Sequence, residues 1–132
     1  PGVQAQDSAT YDYDAHLDAL QLIETANFLP SGVAHPPVLA RSLRGLTDAN
    51  NQYLAPPADL VEVPRMVTTR LPDDAAIFGD FREMVIGVRS QFSLMISQHA
   101  RMERDTILIA ARWRGDIGIA RPKALVNITV TG

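Results

Sequence analysis

The residues best equipped for chemistry gather toward the end of the chain: Arg101, Arg104, Arg112, Arg114 and Arg121, with the single tryptophan, Trp113, among them. Guanidinium groups beside an aromatic ring can hold phosphates while a base stacks on the ring. The same residues can instead make protein contacts, the arginines pairing with a neighbour's carboxylates and the tryptophan filling a pocket. Glu103, Asp105 and Asp116 are interleaved with them, and the chain carries a net charge of -3, a poor balance for a phosphate-coating surface. Subunit contact is the better reading. Trp113 is then a candidate interface anchor, with a plain core position as its competitor.

Other reactive side chains offer less. His16 falls on a predicted helix, His35 at a helix start and His99 in a charged turn, and no pair has metal-ligand spacing. They are read as surface or capping histidines, and no metal site is expected. The acidic pairs Asp12/Asp14, Asp73/Asp74 and Glu103/Asp105 occupy turns and a helix start, where carboxylates are solvated or act as caps. The serines lack a Gly-Xaa-Ser-Xaa-Gly elbow, and no glycine-rich phosphate loop is present. Cysteine is absent, which excludes disulfides and thiolate metal ligands. Catalysis therefore has no nucleus, and no cofactor is implied.

The elements that must position these residues can be read from apolar spacing. A chain of 132 residues is one domain, or one domain and a piece of another, with room for a core. No apolar run approaches the roughly 20 residues of a membrane span. Pro1-Gly2-Val3-Gln4 has neither initiator Met nor signal-peptide pattern, so the sequence is expected to be a fragment, a chain already under way. Residues 1–11 are small and polar without a period, and predict a flexible start. Ala15, Ala19, Leu22, Ile23 and Ala26 share one face of a helix between Tyr11 and Phe28. His35-Pro36-Pro37 opens a second helix with Val38, Leu39, Leu43 and Leu46 as its buried stripe. Short strands are predicted at 66–69 and 75–78, then long alternating ones from Met84 to Ser97, Thr106 to Ile119 and Ala124 to Thr131. The run Ile107-Leu108-Ile109-Ala110-Ala111 also admits a helix. The class is α+β.

In this order the elements resemble a known family, the major capsid proteins of tailed bacteriophages with the Hong Kong 97-type fold. Four stretches carry the likeness. The first is a helix leading into Phe28-Leu29-Pro30-Ser31-Gly32-Val33-Ala34-His35-Pro36; the second is Leu43-Arg44-Gly45-Leu46-Thr47-Asp48 running to Gln52-Tyr53-Leu54. The third is Val63-Pro64-Arg65-Met66-Val67. The last joins Ala76-Ile77-Phe78-Gly79-Asp80-Phe81 to Gly87-Val88-Arg89, Arg112-Trp113-Arg114-Gly115-Asp116 and Arg121-Pro122-Lys123-Ala124.

The resemblance implies an axial domain over 12–97, a mixed sheet flanked by helices, and a C-terminal β-ribbon over 98–132 that returns to the peripheral domain. It implies a structural subunit of a viral (phage or prophage) icosahedral shell, located in the virion and, during assembly, in the host cytoplasm. The partners would be copies of itself, with a scaffold and a maturation protease as further candidates, and without specific nucleic-acid recognition or a membrane. Candidate subunit contacts are Asn50, Asn51, Asp73 and Asp74 near the symmetry axis, with Arg101, Arg104, Arg112, Trp113 and Arg114 at the ribbon. Some family members cross-link subunits through a lysine, an asparagine and a glutamate. The corresponding asparagine and glutamate positions hold Asp105 and Arg112 here, which do not support that route. The competing readings are an encapsulin-like compartment shell and a small ligand-binding domain.

Overall fold

Asp12 starts the first helix by chemistry the sequence makes plain. Its carboxylate accepts from the Ala15 amide at 2.9 Å, satisfying one of the amides a helix start leaves unpaired. The helix α1 (Tyr13–Thr25) buries Ala15, His16, Ala19 and Ile23, one stripe at spacings of three and four. It stops at Asn27, whose φ of 60° is left-handed, and the Phe28 amide turns back to the Ile23 carbonyl at 3.1 Å. Pro36 opens α2 (Pro37–Arg44), which buries Leu39, Ala40 and Leu43. Val38, expected in that stripe, is 54% exposed, because the helix turns its second residue outward.

The computed structural model describes residues 2–97 and 108–131. They divide into two units, one built from residues through Glu83 and from Ala120 on, the other from Met84 to Ile119. The first unit holds a five-stranded sheet of strands β1 (Gln4–Ser8), β2 (Gly32–His35), β3 (Arg65–Val67), β4 (Ala75–Gly79) and β7 (Leu125–Val130). A short helix, α3 (Ala58–Val61), precedes β3. The spatial order is β1-β7-β4-β2-β3. The two outer pairs are parallel and the two inner ones antiparallel.

Register decides which side chains reach the core. Val33, Phe78 and Val126 lie in one row across β2, β4 and β7, and with Ala76 and Ile128 they pack against Ala19 and Ile23 of α1. Phe78, Ile23, Ile128 and Val126 are fully buried, each contributing about 1.5–3 kcal/mol by leaving water. Gly79 ends β4 with φ +148°, and a Cβ there would collide with the Ala124 carbonyl and lie 2.9 Å from the Leu125 Cα. That close approach lets the Asp80 amide reach the Ala124 carbonyl at 2.9 Å.

The second unit is a two-stranded antiparallel ribbon of β5 (Met84–Ser97) and β6 (Leu108–Ile119). From Leu108 on, β6 is extended, which removes the helical alternative there. Its pairing has two irregularities, between Val88 and Ser90 and between Ser90 and Ser93, each placing one extra residue on β5. Together they amount to one full pleat. Met84, Ile86 and Val88 before them, and Leu94 and Ile96 after them, therefore all pair with odd-numbered residues of β6.

Three expectations need correction. Residues 4–8 form an edge strand, paired residue by residue with β7. Its inward positions are glutamines that hydrogen-bond instead of packing: the Gln4 side chain donates to the Lys123 carbonyl at 2.7 Å and the Gln6 side chain to the Ala15 carbonyl at 3.1 Å. A boundary at 97/98 would cut the ribbon, since β5 pairs with β6. The last strand, β7, belongs to the first unit, between β1 and β4.

Candidate subunit-contact surfaces

Asn50 and Asn51 form the tip of a tight turn closed by the Thr47–Tyr53 bridge. The Asp48 carboxylate accepts from the amides of Asn50 at 2.8 Å and Gln52 at 2.9 Å, an Asx-type turn. Asn51 takes φ 60°, which asparagine tolerates better than most residues. Both asparagine side chains are exposed. Asp73 and Asp74 are exposed in the loop before β4, and the Asp74 carbonyl accepts from the Val130 amide at 2.8 Å.

Strand directions put several of these features at one end of the sheet. Ala75 pairs with Thr129, Ser8 with Val130 and His35 with Val67, so the loop over 68–74, the N-terminus of α1 and the start of α2 share that end. Leu46 and Leu54, which flank the asparagine turn, line a depression of about 400 Å³ together with Asp12, Tyr13 and Asp14. The turn thus springs from the same end. At the opposite end the Arg121 guanidinium lies 3.2 Å from the Glu83 carboxylate and 5.6 Å from the centre of the Phe28 ring. Arg121 is engaged within its own unit, apart from the arginine group in which the sequence places it.

In the ribbon, Arg112 pairs with Ser93 and Arg114 with Ser90. Both arginines are exposed on the even-numbered face of β6. Trp113 is 55% exposed, so it is no core residue, and strand alternation turns it to the other face. Its ring folds over Gly115, where any Cβ would overlap it. Ile109, Ile117, Ile86 and Leu94 share that face and are each more than half exposed. The single cluster expected from sequence is therefore two surfaces: arginines on one side, tryptophan among aliphatics on the other. Arg101, Arg104 and His99 lie outside the described residues.

Reading His16 and His35 as surface or capping residues fails outright. They are 4% and 2% exposed. The Tyr11 hydroxyl lies 3.1 Å from His16 Nε2, and His16 Nδ1 donates to the Asp12 carbonyl at 2.8 Å, which fixes the tautomer and makes Tyr11 the donor to Nε2. The His35 ring lies 5.9 Å from the Tyr11 ring. Burial sets the His16 pKa below its ordinary value; the hydrogen bond to the Asp12 carbonyl opposes this, and the Arg65 charge adds to it. Burial, with the charges of His16, Arg65 and Arg44, pushes His35 down to about 4. Burial raises the Tyr11 hydroxyl well above its usual range. The sequence signal was available: both histidines fall on apolar faces, His16 beside Ala15 and Ala19 and His35 two residues after Val33. Among the described residues, no group of three or more His, Cys, Asp or Glu is placed to hold a metal.

The model of the phage capsid family matches residues 2–130. The chain belongs to this family. No curated protein matches it. Among solved structures, the capsid of an empty GTA particle is 17% identical with a TM-score of 0.77, over 98% of this chain and 50% of that one. A Mycobacterium phage Che8 structure is 17% identical with a TM-score of 0.70, over 96% and 53%. An encapsulin of Synechococcus elongatus is 11% identical with a TM-score of 0.60, over 96% and 52%. The capsid chain thus shares the Hong Kong 97-type fold and spans about half the length of the structures it matches. That settles the α+β class expected from the sequence.

Proposed function

We propose that the capsid chain is part of a structural subunit that assembles with copies of itself into the pentamers and hexamers of an icosahedral phage shell, without catalytic chemistry of its own. The observation that carries this reading is the family match running through both units, from residue 2 to residue 130. The first unit corresponds to the axial domain, with Asn50, Asn51, Asp73 and Asp74 directed to the symmetry axis. This fits their exposure at a single end of the sheet. The ribbon corresponds to the peripheral piece, over 84–119 instead of 98–132. Arg112 and Arg114 would meet carboxylates of a neighbouring subunit, where charge pairs set register and partner choice. Trp113 would anchor the opposite face. The shell would be found in the virion after assembly in the host cytoplasm, with a scaffold and a maturation protease as further partners.

Electron microscopy of the full-length protein tests this directly. Closed shells are expected, and monomers persisting at high concentration would overturn the reading. The encapsulin likeness favours a second one, a compartment shell around cargo. Terminase, portal and protease genes beside the coding sequence support the phage; a gene for an encapsulated enzyme supports the compartment.

A further inference from the structure

His35 sits on the helix-facing side of β2, and neither of its ring nitrogens has a hydrogen-bond partner. Its neighbours are already committed. The Tyr11 hydroxyl serves His16 Nε2, and His16 Nδ1 serves the Asp12 carbonyl. The two Asp12 carboxylate oxygens accept from the Ala15 amide and the Thr10 hydroxyl. Charges reach His35 from three surrounding elements, and all would oppose a proton there: His16 on α1, Arg44 on α2 and Arg65 on β3. From β4 the side chains in the neighbouring rows are Ala76, Ile77 and Phe78, which do not titrate. A neutral imidazole is tolerated in this setting; a charged one is buried among like charges.

The position of His35 makes the consequence local. Its carbonyl accepts from the Thr68 amide at 3.0 Å, it pairs with Val67 at the edge of the sheet, and Pro36 directly after it caps α2. We infer that the Tyr11–His16–His35 cluster is an acid-operated latch: a proton on His35 releases the end of the sheet that carries the asparagine turn and the 68–74 loop. Whichever histidine is protonated first makes the second proton costlier, so the latch stays shut near neutrality.

The sign follows from linkage. His35 titrates lower when closed, at about 4, than an exposed histidine at about 6.5. The closed state is fully favoured above the higher value and loses ground as pH falls toward the lower one. Each pH unit inside that window removes about a factor of ten from the closed-to-open ratio. The inference is independent of the shell assignment.

Hydrogen exchange of the full-length protein, read by mass spectrometry at pH 7.5 and pH 5.0 and corrected for intrinsic rates, tests it. Protection over residues 11–16, 33–40 and 65–69 should fall about thirtyfold at the lower pH, while β7 over 125–128 and the end of α1 hold theirs. His35→Phe keeps the ring and removes the proton site, and should flatten the response. Equal protection at both pH values overturns the latch. So does a loss spread evenly over the sheet, or an undiminished loss in His35→Phe. If that variant does not fold, the wild-type pattern alone decides.

Discussion

The sheet unit and the ribbon are built from the same raw material, alternating strands rich in Val, Ile and Ala, yet they treat it in opposite ways. In the sheet, α1 lies over the row Val33–Phe78–Val126, and these side chains are at most 2% exposed. In the ribbon, Ile86, Leu94, Ile109 and Ile117 are each above 55%. Strand periodicity says which residues share a face; it does not say whether anything covers that face. A two-stranded ribbon with apolar residues outward gains little by folding alone, and such a surface marks a place where other protein is met. Stability should therefore reside in the first unit and assembly in the second.

Four substitutions can break or sharpen this division. Phe78→Ala removes the largest fully buried side chain among the described residues and should cost about 3–5 kcal/mol, read as a lowered midpoint in chemical denaturation. An unchanged midpoint would remove the distinction between a cored unit and an uncored one. Gly79→Ala forces a side chain into the Ala124 carbonyl at φ +148°, and should cost about 1–3 kcal/mol by the same assay. Asp12→Ala loses the cap of α1 and should cost about 1 kcal/mol, visible as a small shift of the thermal midpoint. Trp113→Ala in the ribbon should change folding stability by less than about 0.5 kcal/mol, yet reduce the yield of closed shells in electron micrographs. A large drop in melting temperature with normal shells would reverse the roles assigned to the two units.

The helices were legible because their signals are local. Asp12, Pro36 and the stripe Ala15–Ala19–Ile23 all act within one or two turns. The first strand was hidden for a physical reason: the Gln4 and Gln6 side chains donate to the α1 carbonyls of Leu22 and Ala15, so the expected apolar alternation is absent. The domain boundary was hidden for another. β7 pairs with β1 across more than a hundred residues, and nothing in its composition distinguishes it from the ribbon strands that precede it. Of the candidate contacts, Asn50–Asn51 and Asp73–Asp74 are exposed. The arginine and tryptophan group divided in two because neighbouring residues of a strand point apart. The buried histidines have no ligand spacing to mark them; their signal is their place on the apolar faces of α1 and β2.

The paired irregularities in β5 bear on how such a strand can change over time. Two extra residues return the chain to the face it left, so the tryptophan side of the ribbon stays apolar from end to end. Deleting one residue between Arg89 and Phe92 would turn the remainder of the strand over, bringing Ser93 and Met95 to the side of Trp113 and sending Leu94 and Ile96 to that of the arginines. Losing two would leave both sides intact. Length variation in this stretch among related sequences should accordingly come in even steps, and a lone insertion should be accompanied by a second one nearby.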